Sequence, residues 1–443
     1  MPTHTHPRVH SYPRTLALLL FLLLSLPPAF ARQNGETDLA RALRRLPHVI
    51  AVETLRPDSS FREAYEIVFS EPLDHADTAK GSFPLHLWLS HADASLPMVI
   101  ETEGYQVFGG TRPRELTSLL HCNQLVVEHR FFGHSRPDSL RWEYLRLKQT
   151  ADDLHRVVTT FKTLYPGPWV STGISKGGQT TLLYRFFYPN DVRASVPYVA
   201  PIPLAEEDPR IFTFLRSVGD SSTRRRIEDF QKDMLVRESE MIPRLEQYAA
   251  DKKISLGIGT GVAYEYLVLE YSFSFWQWGS VRPDEIPRPG APADTAFRHL
   301  LRVVPPTDYT DQGIAYLAPF IVQAYGELGY YRYDITDLRP FLCFVHNPTN
   351  ALFVPKDARV TYDPLTMQRI HRYLQLSGNN IIFVYGQNDT WSACAMQLTG
   401  MTNAIKLVNQ GGSHRSRIRD LTNGQQAQAM DSLKVWLGLP TRP

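Results

Sequence analysis

The feature that most constrains this chain is a rhythm of short apolar runs alternating with amphipathic stretches, which begins near residue 97, stops near 203 and resumes late. Residues 97–102, 123–128, 169–172 and 194–199 are bounded by polar or Gly-rich loops, as buried parallel strands are. Between them, Leu147, Ala151, Leu154, Val157, Val158 and Phe161 fall on one helical face, and that helix should end before Pro166-Gly167-Pro168. A second helix is expected over 178–188. Strand, helix, strand in this order gives right-handed βαβ units. Upstream, 65–69 and 83–89 alternate in polarity and predict an antiparallel hairpin. From 203 to 338 the patterns are mostly helical, including 224–248 and the aromatic-rich 263–278, with a Pro-rich break over 287–292. Strands are expected again at 341–345, 381–385 and 404–408, and a last helix over 425–437. The fold class is therefore α/β: a core over 32–202 that includes the hairpin, a helical cap over 203–338, and the second part of the core over 339–443.

Composition narrows the function. The 443 residues are 43% hydrophobic and 21% charged, enough apolar surface for a substantial core. Lysine plus arginine (47) against aspartate plus glutamate (45) gives a net charge of +2, too balanced to hold a polyanion, so no nucleic-acid partner is expected. The N-terminus reads as a cleaved signal peptide over 1–31. Arg8 and Arg14 precede the apolar run 16–24, Pro27 and Pro28 follow it, and Ala29-Phe30-Ala31 is a small-x-small cleavage site. The run is shorter than the roughly 20 residues of a membrane span. The mature protein is expected to be secreted or periplasmic, with no membrane association after cleavage. Cys122, Cys343 and Cys394 allow at most one disulfide, and no Cys or His pair has zinc-ligand spacing, so neither a disulfide framework nor a structural metal is expected.

The chemistry concentrates at Gly173-Ile174-Ser175-Lys176-Gly177, a Gly-x-Ser-x-Gly motif between an expected strand and an expected helix. Such a turn holds the serine strained at the sheet's edge, and the flanking glycines leave room for backbone to pass. Ser175 is the candidate nucleophile, and the Lys176 backbone N–H, opening the helix, a candidate oxyanion donor. The second donor is expected from the loop after 97–102, at Gly104 or Tyr105. On such a sheet the acid and the histidine follow the serine in that order. Asp389 follows the strand 381–385, and His414 lies in a Gly-rich loop before the last helix. Asp357, Asp363 and Asp420 are rivals for the acid that chain order disfavours. Glu128 and Arg130 read as a structural ion pair.

Five segments together resemble a known family: residues 71–75 (Glu-Pro-Leu-Asp-His), 128–137, the Ser175 elbow, 323–331, and the pair formed by Asp389-Thr390-Trp391 with Gly412-Ser413-His414. The chain is similar to secreted serine exopeptidases that include lysosomal Pro-Xaa carboxypeptidase and dipeptidyl peptidase II, and more closely to their bacterial tripeptidyl-aminopeptidase-like relatives. The resemblance implies an α/β-hydrolase core with an inserted helical cap, no cofactor, peptide substrates cleaved after proline near a terminus, and the nucleophile, acid and base roles at Ser175, Asp389 and His414. The elbow follows the bacterial branch, whereas Thr390 stands where lysosomal members usually carry proline. For a proline-specific exopeptidase, the resemblance makes Trp391, with its flat aromatic face, a candidate wall for the pyrrolidine ring, and Glu327, in a Gly-punctuated loop, a candidate carboxylate for the substrate's α-ammonium. An aminopeptidase releasing tripeptides or dipeptides is the leading expectation. A Pro-Xaa carboxypeptidase, a carboxylesterase or lipase on the same fold, and a non-catalytic surface binding protein are the alternatives.

Overall fold

The computed structural model describes residues 36–440, so the expected signal peptide lies outside the described residues. The hairpin forms as expected: β2 (Glu63–Pro72) pairs in unbroken antiparallel register with β3 (Ser82–His91), from Glu63 opposite His91 to Pro72 opposite Ser82. A strand absent from the sequence reading, β1 (Val49–Leu55), borders β2 at the sheet's edge. Only Val52 of it is buried, which explains why no alternation announces it.

β4 (Met98–Thr102), β5 (Asn123–Val127), β6 (Trp169–Ile174), β7 (Ala194–Tyr198), β8 (Ile382–Gly386) and β9 (Ile405–Asn409) complete a nine-stranded sheet of order β1-β2-β3-β5-β4-β6-β7-β8-β9. From β5 to β9 every neighbour is parallel. Residues alternate between two apolar layers: Ile382 and Val384 face Leu407 and the final helix Asn423–Leu437, while Ile381, Phe383 and Tyr385 face the helices Lys176–Phe187 and Pro364–Leu376. The chain leaves β4 toward β5 on one side and returns to β6 on the other. That reversal opens a crevice at the carboxyl ends of β4 and β6, where open parallel sheets bind ligands.

Between β7 and β8 the described chain adds no strand to the sheet and contributes mainly helices, among them Ser221–Val236, Glu238–Lys252, Thr260–Trp278, Ala293–Val303 and Asp311–Gln323. Two expectations need correction. The helix expected over 224–248 is two helices that break at Arg237, whose guanidinium pairs with Asp233 before it and Glu240 after it and donates to the Ala291 carbonyl. The strand expected over 341–345 is irregular. The fully buried Glu265 carboxylate accepts the backbone N–H groups of Cys343, Phe344 and Val345, so those donors need no sheet neighbour. Val345, with Phe341, Leu342 and Phe353, packs in the apolar cluster of the insertion, which therefore reaches past Leu338. All three cysteines are free thiols, with Cys122 and Cys394 buried.

Glu128 and Arg130 do not pair with each other. Glu128 accepts from the N–H groups of Val107, His134 and Ser135 and from the Ser135 hydroxyl, shaping the loops beyond β4 and β5. Arg130, 1% exposed, grips Asp153 through Nε at 2.6 Å and Nη2 at 2.8 Å and donates to the carbonyls of Pro72, Leu73 and Tyr144. One guanidinium thus ties the β2 end to the helix Leu147–Phe161. Arg130→Met leaves the buried Asp153 carboxylate with only the His75 imidazole beside it, at 2.7 Å, and loss of one partner of a buried pair costs up to about 3–5 kcal/mol. The urea midpoint should fall accordingly; a change within the roughly 0.5 kcal/mol typical of surface positions would contradict this role.

Candidate active site

Ser175 sits between β6 and the helix Lys176–Phe187 at φ 57° and ψ −121°, a left-handed conformation that strains a residue bearing a Cβ. Its backbone is held on both sides: the N–H donates to the Tyr198 carbonyl at 2.8 Å and the carbonyl accepts from Gln179 at 2.9 Å. At this turn neighbouring backbone comes unusually near, which only glycine allows. A Cβ on Gly177 would lie 2.5 Å from the Thr102 carbonyl oxygen, and one on Gly104 would lie 2.6 Å from the Lys176 Cβ and 2.7 Å from the Gly177 nitrogen. The Thr102 hydroxyl fastens the contact, bonded to the Thr172 and Gly177 carbonyls and the Thr181 hydroxyl. The loop after β4 and the start of the helix after β6 therefore meet where the sequence reading put the oxyanion donors. Lys176 occupies the first helical position, whose N–H has no acceptor in its own helix.

Asp389 and His414, 25 residues apart in sequence, also converge. Nδ1 of His414 lies 2.7 Å from Oδ2 of Asp389, and the two are 4% and 0% exposed. The other Asp389 oxygen accepts the Trp391 N–H at 3.1 Å and caps the short helix Thr390–Cys394, so one carboxylate both ends the loop and orients the imidazole. The His414 backbone N–H donates to Gln277, and its ring meets Trp278 edge to face at 5.4 Å. The rivals lie elsewhere: Asp363 caps the helix Pro364–Leu376, Asp357 accepts from the Trp142 indole, and Asp420 accepts from the Arg417 N–H.

Ser175, Lys176, Tyr105, Trp391 and His414 line one cavity of about 750 Å³ between the sheet's carboxyl edge and the insertion. Gly104 is not among its lining residues; its part is the close approach that brings Tyr105 there. Trp391 packs against Phe273, Tyr330 and Tyr331, so it is at once a wall of the cavity and part of the insertion's apolar cluster. The aromatic-rich helix Thr260–Trp278 divides similarly: Tyr264, Tyr266 and Tyr271 are core, while Phe273 and Trp278 face the cavity.

Glu327 is the exception. Its carboxylate accepts the Leu147 N–H at 2.9 Å at the start of the helix Leu147–Phe161, burial raises its pKa, and it lines a separate cavity with Arg146 and Asp357. A carboxylate bonded to a helix N-terminus is stabilised where it is, and it is not among the residues lining the Ser175 cavity.

The acidic residues that do line that cavity are Glu101, Glu103, Glu270 and Asp308, none singled out from sequence. Glu103 pairs with Arg114 at 3.1 Å, its pKa pushed up to about 8 by burial and then by Glu101; Glu101 is itself raised by burial, against the pull of Arg114 and Arg417. Glu270 was detectable in principle: with Glu265 it is one of two charged residues in the helix Thr260–Trp278, and a charge in a buried apolar helix must have a partner or a purpose. Burial lowers the Lys176 pKa, and its ammonium lies 5.6 Å from the Tyr105 ring centre and 5.5 Å from that of Phe132. Two groups among the described residues have metal-compatible spacing, Glu71-His75-Asp153 and Glu238-Glu265-Cys343, and neither lines the cavity. Arginines already occupy the first, and backbone N–H groups occupy Glu265 in the second.

A sheet of this order, with a serine at the turn after β6 and a hydrogen-bonded aspartate and histidine after β8 and β9, is the α/β-hydrolase arrangement. Within that class the chain belongs to the PS-10 peptidase S37 family, whose sequence profile matches residues 36–442, and it is a serine peptidase. It is 31% identical over 412 residues to a prolyl tri/tetrapeptidyl aminopeptidase of Streptomyces mobaraensis, covering 91% of this chain and 86% of that protein. Among solved structures, a proline iminopeptidase from Mycobacterium smegmatis aligns at 12% identity and a TM-score of 0.41, covering 84% of this chain and 99% of that one. Epoxide hydrolase A from Mycobacterium thermoresistibile aligns at 13% and 0.36, covering 88% and 99%.

The close approach of the two loops is testable without substrate. Gly177→Ala forces a methyl into the Thr102 carbonyl, and overpacking of this kind costs about 1–3 kcal/mol. The melting temperature should fall measurably, and an unchanged value would mean that the backbones are not in contact.

Proposed function

We propose that this protein is a secreted serine aminopeptidase that releases short peptides, chiefly tripeptides, from the N-termini of peptide substrates, with proline at the cleavage site. The observation that carries the reading is the Asp389–His414 hydrogen bond opening onto the same cavity as Ser175. With the imidazole N–H at Nδ1 directed to Asp389, Nε2 is left to accept a proton. Ser175 Oγ attacks the scissile carbonyl and its proton passes to His414. The resulting oxyanion is received by the backbone N–H groups of Lys176 and of the Gly104-Tyr105 loop, donors of a kind worth about 2.7–4 kcal/mol each in the transition state. The C–N bond then breaks, His414 returns the proton to the leaving amine, and water hydrolyses the acyl-enzyme by the reverse sequence.

The walls beside Asp389 support the proline preference. Trp391, Phe273, Tyr330 and Tyr331 present flat aromatic faces suited to a pyrrolidine ring. The name of the Streptomyces relative, a prolyl tri/tetrapeptidyl aminopeptidase, supports the same substrate class and the trimmed end. Export rests on the leader over 1–31, and N-terminal sequencing of protein from the culture medium or periplasm should begin at Arg32.

Wild-type enzyme should cleave an Ala-Ala-Pro anilide with a free N-terminus faster than a p-nitrophenyl ester of a fatty acid. Ser175→Ala should reduce the peptidase rate by at least about 10³-fold while leaving the melting temperature near its original value. Activity retained by Ser175→Ala, or a preference for the fatty ester, would overturn the proposal.

A further inference from the structure

An aminopeptidase must place a positive charge, the substrate's α-ammonium, somewhere in its cavity, and Glu327 is not among the residues lining it. Of the four acids that line it, Glu101 and Glu103 are balanced by Arg114 and Arg417. Glu270 and Asp308 form no ion pair with a cationic side chain among the described residues. The Glu270 carboxylate is 7% exposed and accepts only from hydroxyl groups: Oε1 from Ser274 at 2.6 Å, and Oε2 from Tyr331 at 2.7 Å and Tyr333 at 3.0 Å. Asp308, carried by the short helix Pro306–Tyr309, is exposed on the cavity wall, and its charge disfavours ionisation of Glu270. Two acids left without a cation in an otherwise aromatic wall form a place for a ligand cation.

The wall is also tied to the proposed chemistry. Tyr331 donates its hydroxyl to Glu270 and packs its ring edge to face on Trp391, at 5.4 Å, two residues from Asp389. On the proposed reading, a substrate with proline against Trp391 would extend its N-terminal residues along the same aromatic surface. Three extended residues reach about 10 Å at most, so a fixed anchor for the ammonium limits how many can precede the cleaved bond.

We infer that Glu270, with Asp308 beside it, receives the α-ammonium of the substrate and so sets both the requirement for a free N-terminus and the length of the peptide released. The inference rests on the aminopeptidase reading above and names the anchor within it.

The groups facing Glu270 are Ser274 on its own helix, Tyr331, Tyr333 and Tyr330 from the segment after the helix Asp311–Gln323, and Tyr309 and Asp308 from the short helix Pro306–Tyr309. None supplies a positive charge. Burial, with Asp308 adding to it, pushes Glu270 up to about 7. A raised carboxylate pKa means that the charge is present above about pH 7 and lost below it, so ammonium recognition weakens as pH falls through that value. A free peptide α-amine loses its own proton near pH 7.7–8.0, weakening recognition on the alkaline side. Preference for the free N-terminus should therefore peak between these limits.

The test compares kcat/KM for Ala-Ala-Pro-p-nitroanilide with that for its N-acetylated form, across pH 5.5 to 9, in wild-type enzyme, Glu270→Gln and Asp308→Asn. The ratio on one enzyme cancels the titration of groups shared by both substrates. Wild type should favour the free substrate, with a maximum near neutrality. Glu270→Gln should cut the ratio about 10–100-fold, mainly through KM, and flatten its acid limb. Asp308→Asn should lower it less and move the acid limb to lower pH. Reaction of Glu270→Gln with a fluorophosphonate at a rate near wild type shows that the variant is folded. A folded Glu270→Gln with an unchanged ratio overturns this assignment and leaves the aminopeptidase reading standing. Failure of wild type to cleave any peptide overturns that reading and the assignment with it.

Discussion

Everything in the candidate site depends on one close contact of backbones. The turn at Ser175 brings the first residues of a helix against the end of β4, nearer than any Cβ at positions 104 or 177 would allow. That contact has two consequences. It holds the serine in a left-handed conformation with its side chain at the sheet's edge, and it brings the loop carrying Tyr105 beside the free helical N–H of Lys176. Because the contact is made by main chain and locked by Thr102, no rotamer change can relax it. A site built on rigid elements in this way holds its reacting groups more closely than one built on mobile loops.

The second constraint is the insertion between β7 and β8. It supplies the opposite wall of the cavity, and it reaches back into the sheet's own loops: Trp391 and Cys394 join its apolar cluster, Thr390 donates to the Phe273 carbonyl, and His414 donates to Gln277. The loops that bear Asp389 and His414 are therefore positioned from both sides. Buried carboxylates organise the insertion much as apolar packing does. Glu265 gathers three backbone N–H groups and Glu270 gathers three hydroxyls, and each satisfies polar groups that burial would otherwise leave stranded.

What could be read from sequence follows the range of the interaction responsible. Strands β4 to β8 were legible because burial on both faces leaves continuous apolar runs; the order in which such a sheet places nucleophile, acid and base singled out Ser175, Asp389 and His414 as candidates, and Asp389 and His414 do meet in a hydrogen bond. β1 was hidden by its exposure. The run at 341–345 looks like a strand by its apolar residues alone; what decides its shape is a carboxylate nearly eighty residues away. The break between two helices at Arg237 leaves no gap in the apolar pattern, so the sequence reads as one helix there. Glu327 illustrates the limit for function: its loop looked suitable, but which helix end that loop meets is a tertiary fact. The 71–75 and 128–137 segments turn out to be linked through Arg130 to Asp153, which explains their joint presence without giving either a part in the chemistry.

The central claim is that three side chains distant in sequence act on one reacting atom. Peptide mapping by mass spectrometry after exposure to a fluorophosphonate tests it most directly. The account predicts a single adduct, on Ser175, whose rate of formation collapses in His414→Ala. An adduct on another residue, or one on Ser175 that forms as fast without His414, would contradict it.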